Sequence, residues 1–295
     1  MDLRAILMGL AFAFMWSSAF TSARIIVLDA PPLMALSLRF AISGLLAVAI
    51  ARSLGQSWRL NRVQARATVV FGVCQNALYL GLNFVALQTV QASLAAIIAS
   101  TMPLLVAVSS WLFFGEKLKP LGAVGLLAGI LGVLVIMGSR LGGAGAADAY
   151  GLVLCGIGVL ALTFATLAVR GAISGGNMLM IVGLQMLVGS AVLGIAAALL
   201  ETFVVNWSWK LVAAFAYTTL VPGLAATFVW FVLVNRIGAV RAATFHFLNP
   251  FLGVAVAAVI LGETLGPNDI LGVLIIAAGI LAVQMSKAAS KKSSR

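Results

Sequence analysis

His246 is the single histidine of the chain, in the middle of an apolar run, with Asn249 three residues on and Pro250 four residues on. An imidazole both donates and accepts, and an amide at i+3 shares its helical face, so the pair suits the polar end of a small solute. Pro250 has no N–H to give the carbonyl of His246, which leaves an acceptor free at that depth. Pro103 does the same to the carbonyl of Ala99, beside Ser100 and Thr101. Asn76, Tyr79 and Asn83 follow i, i+3, i+7 spacing, with Gln75 adjacent, and form a polar stripe on one face. Trp16, with Phe12 and Phe20 one turn to either side, supplies an aromatic face, and Phe164 and Trp230 add flat surface that can stack on a planar solute. The chemistry these residues suit is reversible binding. Ser100 and His246 are the available nucleophile and base, but no carboxylate is placed to orient the histidine, and no ligand cluster has metal spacing. No Lys-Ser/Thr follows a glycine run, so a phosphate loop is absent. The sequence therefore predicts no enzyme, no cofactor and no metal. Packing roles stay open beside the binding ones: the stripe as glue between helices, the prolines as simple kinks, and His246 as a hydrogen-bonded core residue.

The elements that must hold these residues follow from composition. Of 295 residues, 63% are hydrophobic and 8% charged, and the mean hydropathy is +1.18. So little charge cannot cover a surface in water, which excludes a soluble enzyme, a disordered regulator and a nucleic-acid binder. Stretches of about 20 apolar residues are bilayer-spanning helices. Ten are expected, at 3–28, 32–54, 66–88, 91–114, 120–138, 149–170, 177–199, 210–235, 239–261 and 267–286, divided by clusters of Pro, Gly, Asn and charge. Cys74 and Cys155 fall inside spans and read as small buried hydrophobes. Trp207 and Trp209, at a span end, read as interfacial anchors.

The net charge of +11 is unevenly distributed. Ten spans put fourteen Lys and Arg on the side of both termini and three (Arg24, Arg140 and Lys210) on the other, with Arg39 just inside the second span and near enough to the interface to snorkel. That asymmetry predicts cytoplasmic termini, with a basic tail at 287–295.

A repeat appears at an offset of 147 residues. Pro103, Gly115, Glu116, Leu118, Pro120, Gly125 and Gly132 match Pro250, Gly262, Glu263, Leu265, Pro267, Gly272 and Gly279, and Ala92, Ala95 and Ala96 match Ala239, Ala242 and Ala243. The expected domains are residues 1–140 and 147–286. Five spans per half is an odd number, so the second half enters the membrane from the opposite side: an all-α membrane protein of ten helices in two inverted five-helix repeats. Such repeats are typical of secondary transporters, with substrate bound near the midplane. The glycines of the fifth and tenth spans are the small residues that allow close helix approach.

The strings YLGLNFVAL, SLAAIIASTMPLL, FFGEKL and GLLAGILGVLVI between Tyr79 and Ile136, and their counterparts between Phe228 and Val283, resemble the EamA-type half of the drug/metabolite transporter superfamily. GLAFAFMWSSAF and PPLMALSLRF resemble that family's first two spans, and the similarity covers nearly the whole chain. The resemblance implies a carrier of small metabolites in a bacterial inner membrane. Members move amino acids, sugars and other solutes; the YddG-type aromatic amino acid exporters are among them, and no motif here singles out that subgroup. The small multidrug branch uses a buried glutamate, whereas all seven acids here (Asp2, Asp29, Glu116, Asp148, Glu201, Glu263 and Asp269) lie at span ends or in loops. A permanent cation is thus a poor substrate, and a neutral or zwitterionic solute fits better. The expectation is an exporter of neutral or aromatic amino acids, working by alternating access around a central cavity built from spans 1, 3, 4, 6, 8 and 9. A sugar or another neutral metabolite is the second expectation, an intramembrane enzyme or receptor a remote one. Trp16, Tyr79, Asn83, Ser100, Phe164, Trp230, His246 and Asn249 would line the site, with Pro103 and Pro250 breaking the helices beside it. Its partners would be the lipid bilayer and one small solute, and the short loops would let a monomer work alone.

Overall fold

An apolar segment in lipid has no water to satisfy its backbone, so it becomes a helix, in which each N–H and C=O pairs internally. The structure, a computed structural model, describes residues 3–115, 120–141, 146–168, 177–237, 242, 244–264 and 266–293. The described residues contain helices and no strand. In chain order the helices are α1 (Leu3–Asp29), α2 (Pro32–Ser53), α3 (Arg62–Phe71), α4 (Leu80–Ala86), α5 (Ala92–Ser100), α6 (Met102–Phe114) and α7 (Pro120–Leu141). They continue as α8 (Ala146–Ala168), α9 (Met178–Leu200), α10 (Trp209–Thr218), α11 (Ala226–Ile237), α12 (Asn249–Leu261) and α13 (Pro267–Ser293). Among the described residues, eight stretches are long and apolar enough to cross a bilayer. Two shorter apolar helices, Pro120–Ile136 and Phe245–Leu261, fall at the fifth and ninth expected spans.

Three of the joints are irregular. A wide, π-type segment, Gly72–Tyr79, joins α3 to α4, and another, Thr219–Ala225, joins α10 to α11. A 3₁₀ turn, Thr244–Leu248, leads into α12. The third span starts at Arg62, four residues before its expected start, because Asn61 caps it: Gln64 N–H donates to Asn61 Oδ1 at 2.8 Å, and Asn61 N–H donates to Gln64 Oε1 at 3.2 Å. Pro103 and Pro250 each fall in the first turn of a new helix, α6 and α12. A missing N–H costs nothing there, so each proline opens a second helix after a break instead of bending one continuous helix.

Irregularities recur 147 residues apart. Helices α6 and α12 both have 13 residues. Each ends on a glycine in the left-handed region, Gly115 at φ 64° and Gly262 at φ 68°, a conformation that favours a residue without Cβ. The two π-type segments begin at Gly72 and Thr219, again at that offset.

The chain forms two compact units, each drawing helices from both halves of the sequence. The first comprises Met1–Thr21, Val90–Tyr150 and Ala225–Arg295. Within it α7 packs on α13 through glycines. A Cβ placed on Gly125 would lie 2.7 Å from the Gly279 carbonyl oxygen, and one on Gly132 would lie 2.8 Å from that of Gly272. Ascending α7 means descending α13, so these two helices are antiparallel. Glu263 closes the N-terminus of α5: both its oxygens accept from backbone, Ala92 N–H at 2.7 Å and Ser93 N–H at 3.0 Å, and the Ser93 hydroxyl adds a third bond. A carboxylate at a helix N-terminus pairs orphan donors and opposes the positive dipole end. Glu263→Ala is expected to lower unfolding stability by roughly 1–2 kcal/mol, with Glu263→Gln milder, as measured by thermal melting in detergent.

The second unit comprises Ser22–Thr89 and Gly151–Leu224. There α2 and α9 are antiparallel as well. Gly44 meets Gly183 backbone to backbone, and Ser37 pairs with Ser190, its hydroxyl donating to the Ser190 carbonyl at 2.8 Å. Glu201 closes the start of α2 as Glu263 closes α5, accepting from Leu33 N–H at 2.7 Å and Met34 N–H at 2.9 Å.

Candidate functional site

In the first unit, α1 carries Phe12 and Trp16 four residues apart, hence on one face. Trp230 comes from α11, and His246 from the 3₁₀ turn before α12. These four rings meet. The His246 ring centroid lies 5.3 Å from Phe12, 6.4 Å from Trp16 and 5.1 Å from Trp230, in edge-to-face arrangements. Phe12 also tilts against Trp230 at 4.7 Å and Trp16 at 5.7 Å. The 3₁₀ turn is seated by Phe245, whose ring fills the space a Cβ on Gly9 would need, 2.3 Å away.

Asn249 fixes the imidazole. Its amide nitrogen lies 3.0 Å from His246 Nδ1. With that amide donating, Nδ1 is the acceptor and the ring proton is on Nε2, which leaves an N–H to offer among the aromatic faces. Ser17 on α1 ties down the same residue, its hydroxyl donating to the Asn249 carbonyl at 3.3 Å. Asn249 Oδ1 is buried without a hydrogen-bond partner. A buried amide oxygen left open costs free energy, and such atoms are uncommon where nothing is bound. The cluster therefore joins flat apolar surface, one N–H donor and one unfilled acceptor.

In the second unit, the polar stripe does two jobs. Asn76 donates to the Gln185 carbonyl at 2.9 Å and binds the π-type segment to α9. Asn83 donates to the Tyr79 carbonyl at 2.7 Å, while its Oδ1 is buried without a partner. Tyr79 is 2% exposed. Gly158 of α8 makes room for this corner: a Cβ there would sit 2.9 Å from Asn83 Nδ2 and 3.2 Å from the Tyr79 carbonyl.

Of the residues singled out in the sequence, the structure brings together Trp16, Trp230, His246 and Asn249 in one unit, and Tyr79 with Asn83 in the other. Ser100 is placed in α5 with its hydroxyl donating back to Ala96 at 2.6 Å, and His246 Nδ1 is engaged by Asn249, so the two do not form a nucleophile–base pair. Phe164 is 60% exposed and falls in line with exposed Val153, Ile157 and Leu160 along α8. That spacing is an outward apolar stripe of the kind lipid covers, so Phe164 does not join the others. Glu116 and Arg170 lie outside the described residues. Arg39 does not snorkel as the sequence suggested. It is 6% exposed, and its Nε donates to the Thr218 carbonyl at 3.2 Å. The one sequence signal for that contact is Pro222, four residues after Thr218, which has no N–H to give the same carbonyl.

Comparison with known proteins points one way. The model of the EamA-like transporter family matches residues 3–138 and again 149–285. The chain is 26% identical over 288 residues to the uncharacterized transporter YvbV of Bacillus subtilis, covering 96% of this chain and 92% of that one. It is 28% identical over 291 residues to the uncharacterized inner membrane transporter YedA of Escherichia coli, covering 95% and 91%. A shorter likeness, 34% over 121 residues and 41% of the chain, is to the aromatic amino acid exporter YddG of Ancylobacter novellus. One solved crystal structure shares the fold, with a TM-score of 0.67, 21% identity and 96% coverage of both chains.

Proposed function

The chain belongs to the EamA-like transporter family, and on that premise we propose that it exports small neutral or zwitterionic metabolites, aromatic amino acids foremost, by alternating access. The observation that carries the substrate class is the cluster about His246: three aromatic rings, an Nε2–H and the unfilled Asn249 Oδ1. A planar side chain stacks on the rings while a polar end meets the donor and the acceptor.

The proposed architecture is ten spans in two inverted repeats, 1–140 and 147–286, with both termini cytoplasmic in a bacterial inner membrane. It is supported by counterpart helices that run antiparallel, by helix ends that recur at one offset, and by the uneven distribution of Lys and Arg. Among the described residues Glu201 and Glu263 sit at helix ends, where they cap α2 and α5, and movement down a gradient suffices for transport.

The test is counterflow by purified protein in liposomes, screened across amino acids and sugars. Uptake of phenylalanine or tryptophan above that of sugars is expected. If a sugar alone moves, the substrate class is wrong and the carrier reading stands; if nothing in the panel moves, the carrier reading loses its ground.

A further inference from the structure

Four arginines fall within fifteen residues of the second unit. Arg52 ends α2, Arg59 lies in the loop that follows, and Arg62 and Arg66 are one turn apart on α3. All four are exposed, and none has an ion pair among the described residues. The unit contains two acids, Asp29 and Glu201, and both sit at the other end of α2. Glu201 caps Leu33 and Met34, and Asp29 closes the helix before them. From Leu33 to Arg52 the helix rises about 29 Å, more than three Debye lengths of about 8 Å at physiological salt. Neither acid neutralises the arginines over that distance.

The loop that carries them is pinned. Gln56 Oε1 accepts from Met180 N–H at 3.0 Å, and Ser57 N–H donates to Asn177 Oδ1 at 3.1 Å, which fixes two successive residues to the start of α9. The Ser57 hydroxyl accepts from Arg59 N–H at 3.1 Å, and the Asn61–Gln64 capping box follows. Between these anchors Trp58 is exposed, as are Leu54 and Val63 to either side in sequence. Two membrane-spanning stretches end and begin here, so the loop lies at the membrane surface. An exposed indole among cations suits that boundary, with the ring at headgroup depth and the charges at the phosphates. Orienting a chain in a bilayer asks only for basic residues on one side, not for a loop held in one shape.

We propose that Arg52, Arg59, Arg62 and Arg66, with Trp58, form a headgroup site for an anionic phospholipid. Guanidinium groups pair with phosphate oxygens through parallel N–H···O bonds, and the phosphate diester supplies the negative charge that the second unit lacks at this end. A zwitterionic lipid carries the same phosphate but brings its own cation to a place that already holds four. A free phosphate has no acyl chains to keep it at the depth of Trp58. The site goes beyond the carrier reading and does not depend on which solute is carried.

The experiment measures lipid binding to the purified full chain in detergent by native mass spectrometry. Phosphatidylglycerol is compared with phosphatidylcholine of the same acyl chains, each with and without inorganic phosphate. One basic residue near an anionic headgroup is worth about fivefold in affinity, so phosphatidylglycerol should bind at least about tenfold tighter than phosphatidylcholine. Arg59→Gln combined with Arg62→Gln should cost phosphatidylglycerol about tenfold or more and leave phosphatidylcholine unchanged. Lys210→Gln is the control: it lies at the start of α10, which packs near the beginning of α2, and it should change neither lipid. Equal affinity for the two lipids, a preference that survives in the double variant, or the same loss in Lys210→Gln would overturn the site. Displacement of phosphatidylglycerol by inorganic phosphate would overturn it as well, in favour of a soluble anion. If the double variant does not fold, Arg59→Gln alone decides: a selective loss of about fivefold supports the proposal, and no loss sinks it.

Discussion

Gly279→Leu should cut the yield of folded, monodisperse protein at least about tenfold, the largest effect expected from any single substitution away from the binding cluster. A Cβ at Gly279 would meet the Gly125 carbonyl oxygen at 2.6 Å and the Gly129 nitrogen at 2.8 Å. Both are backbone atoms of a helix and cannot rotate aside as a side chain would. The reverse contact is equally close, with Gly125 facing the Gly279 carbonyl at 2.7 Å, so α7 and α13 have no room to separate locally. Van der Waals packing is the main force between helices in lipid, so pushing this pair apart removes what holds it together. Gly156 is the internal control, since nothing lies within 4 Å of a Cβ built there, and Gly156→Ala should leave yield and melting temperature unchanged. Size-exclusion profiles and thermal unfolding of the purified variants provide the comparison. A well-behaved Gly279→Leu protein would mean that the two helices are not in backbone contact.

The second large effect belongs to the aromatic cluster. His246→Ala and Trp230→Ala should each lower flux by about tenfold, and the double variant by less than the product of the two because the rings touch. The first removes the Nε2–H and the reason for Asn249's orientation; the second removes a ring whose centroid lies 5.1 Å from the imidazole. Both side chains are partly exposed, unlike Tyr79, so their loss should leave the melting temperature closer to wild type than Tyr79→Ala would. Tyr79→Phe separates function from packing at that position, because it removes the hydroxyl and keeps the buried ring. Flux unchanged in the double variant would remove the His246 cluster from the transport path.

Span positions were legible because a bilayer allows an apolar segment one backbone solution, and the paired prolines and glycines marked where that solution stops. Helices α6 and α12 end at Gly115 and Gly262, whereas Pro103 and Pro250 each open a new helix inside what was expected as one span. The joining of Trp16 to His246 could be suspected from residue type alone. Partners that depend on tertiary contact could not be read. For Asn76 both cavity lining and helix glue were open from the sequence, and its bond to α9 is the glue role, because an amide's helical face says nothing about which neighbour fills it. Phe164 has the same side chain as Phe12 and faces the other way, its direction set by packing of α8 and not by its own chemistry. The π-type segments at Gly72–Tyr79 and Thr219–Ala225 carried no hydropathy signal, since an extra residue per turn does not change composition. Arg39 was misread for a related reason. Distance from the helix end suggested snorkelling, and Pro222, far along the chain, made the interior acceptor available.

Opposite insertion of the two halves decides whether exchange of their shapes can open the protein alternately to either side. It can be read by labelling single cysteines in sealed inner-membrane vesicles of known orientation. With Cys74 and Cys155 replaced by alanine, Lys117→Cys and Thr264→Cys probe the equivalent turns of the two halves. A membrane-impermeant maleimide should reach Lys117→Cys from the cytoplasmic face alone and Thr264→Cys from the opposite face alone. Labelling of both from one and the same face would contradict the inverted arrangement.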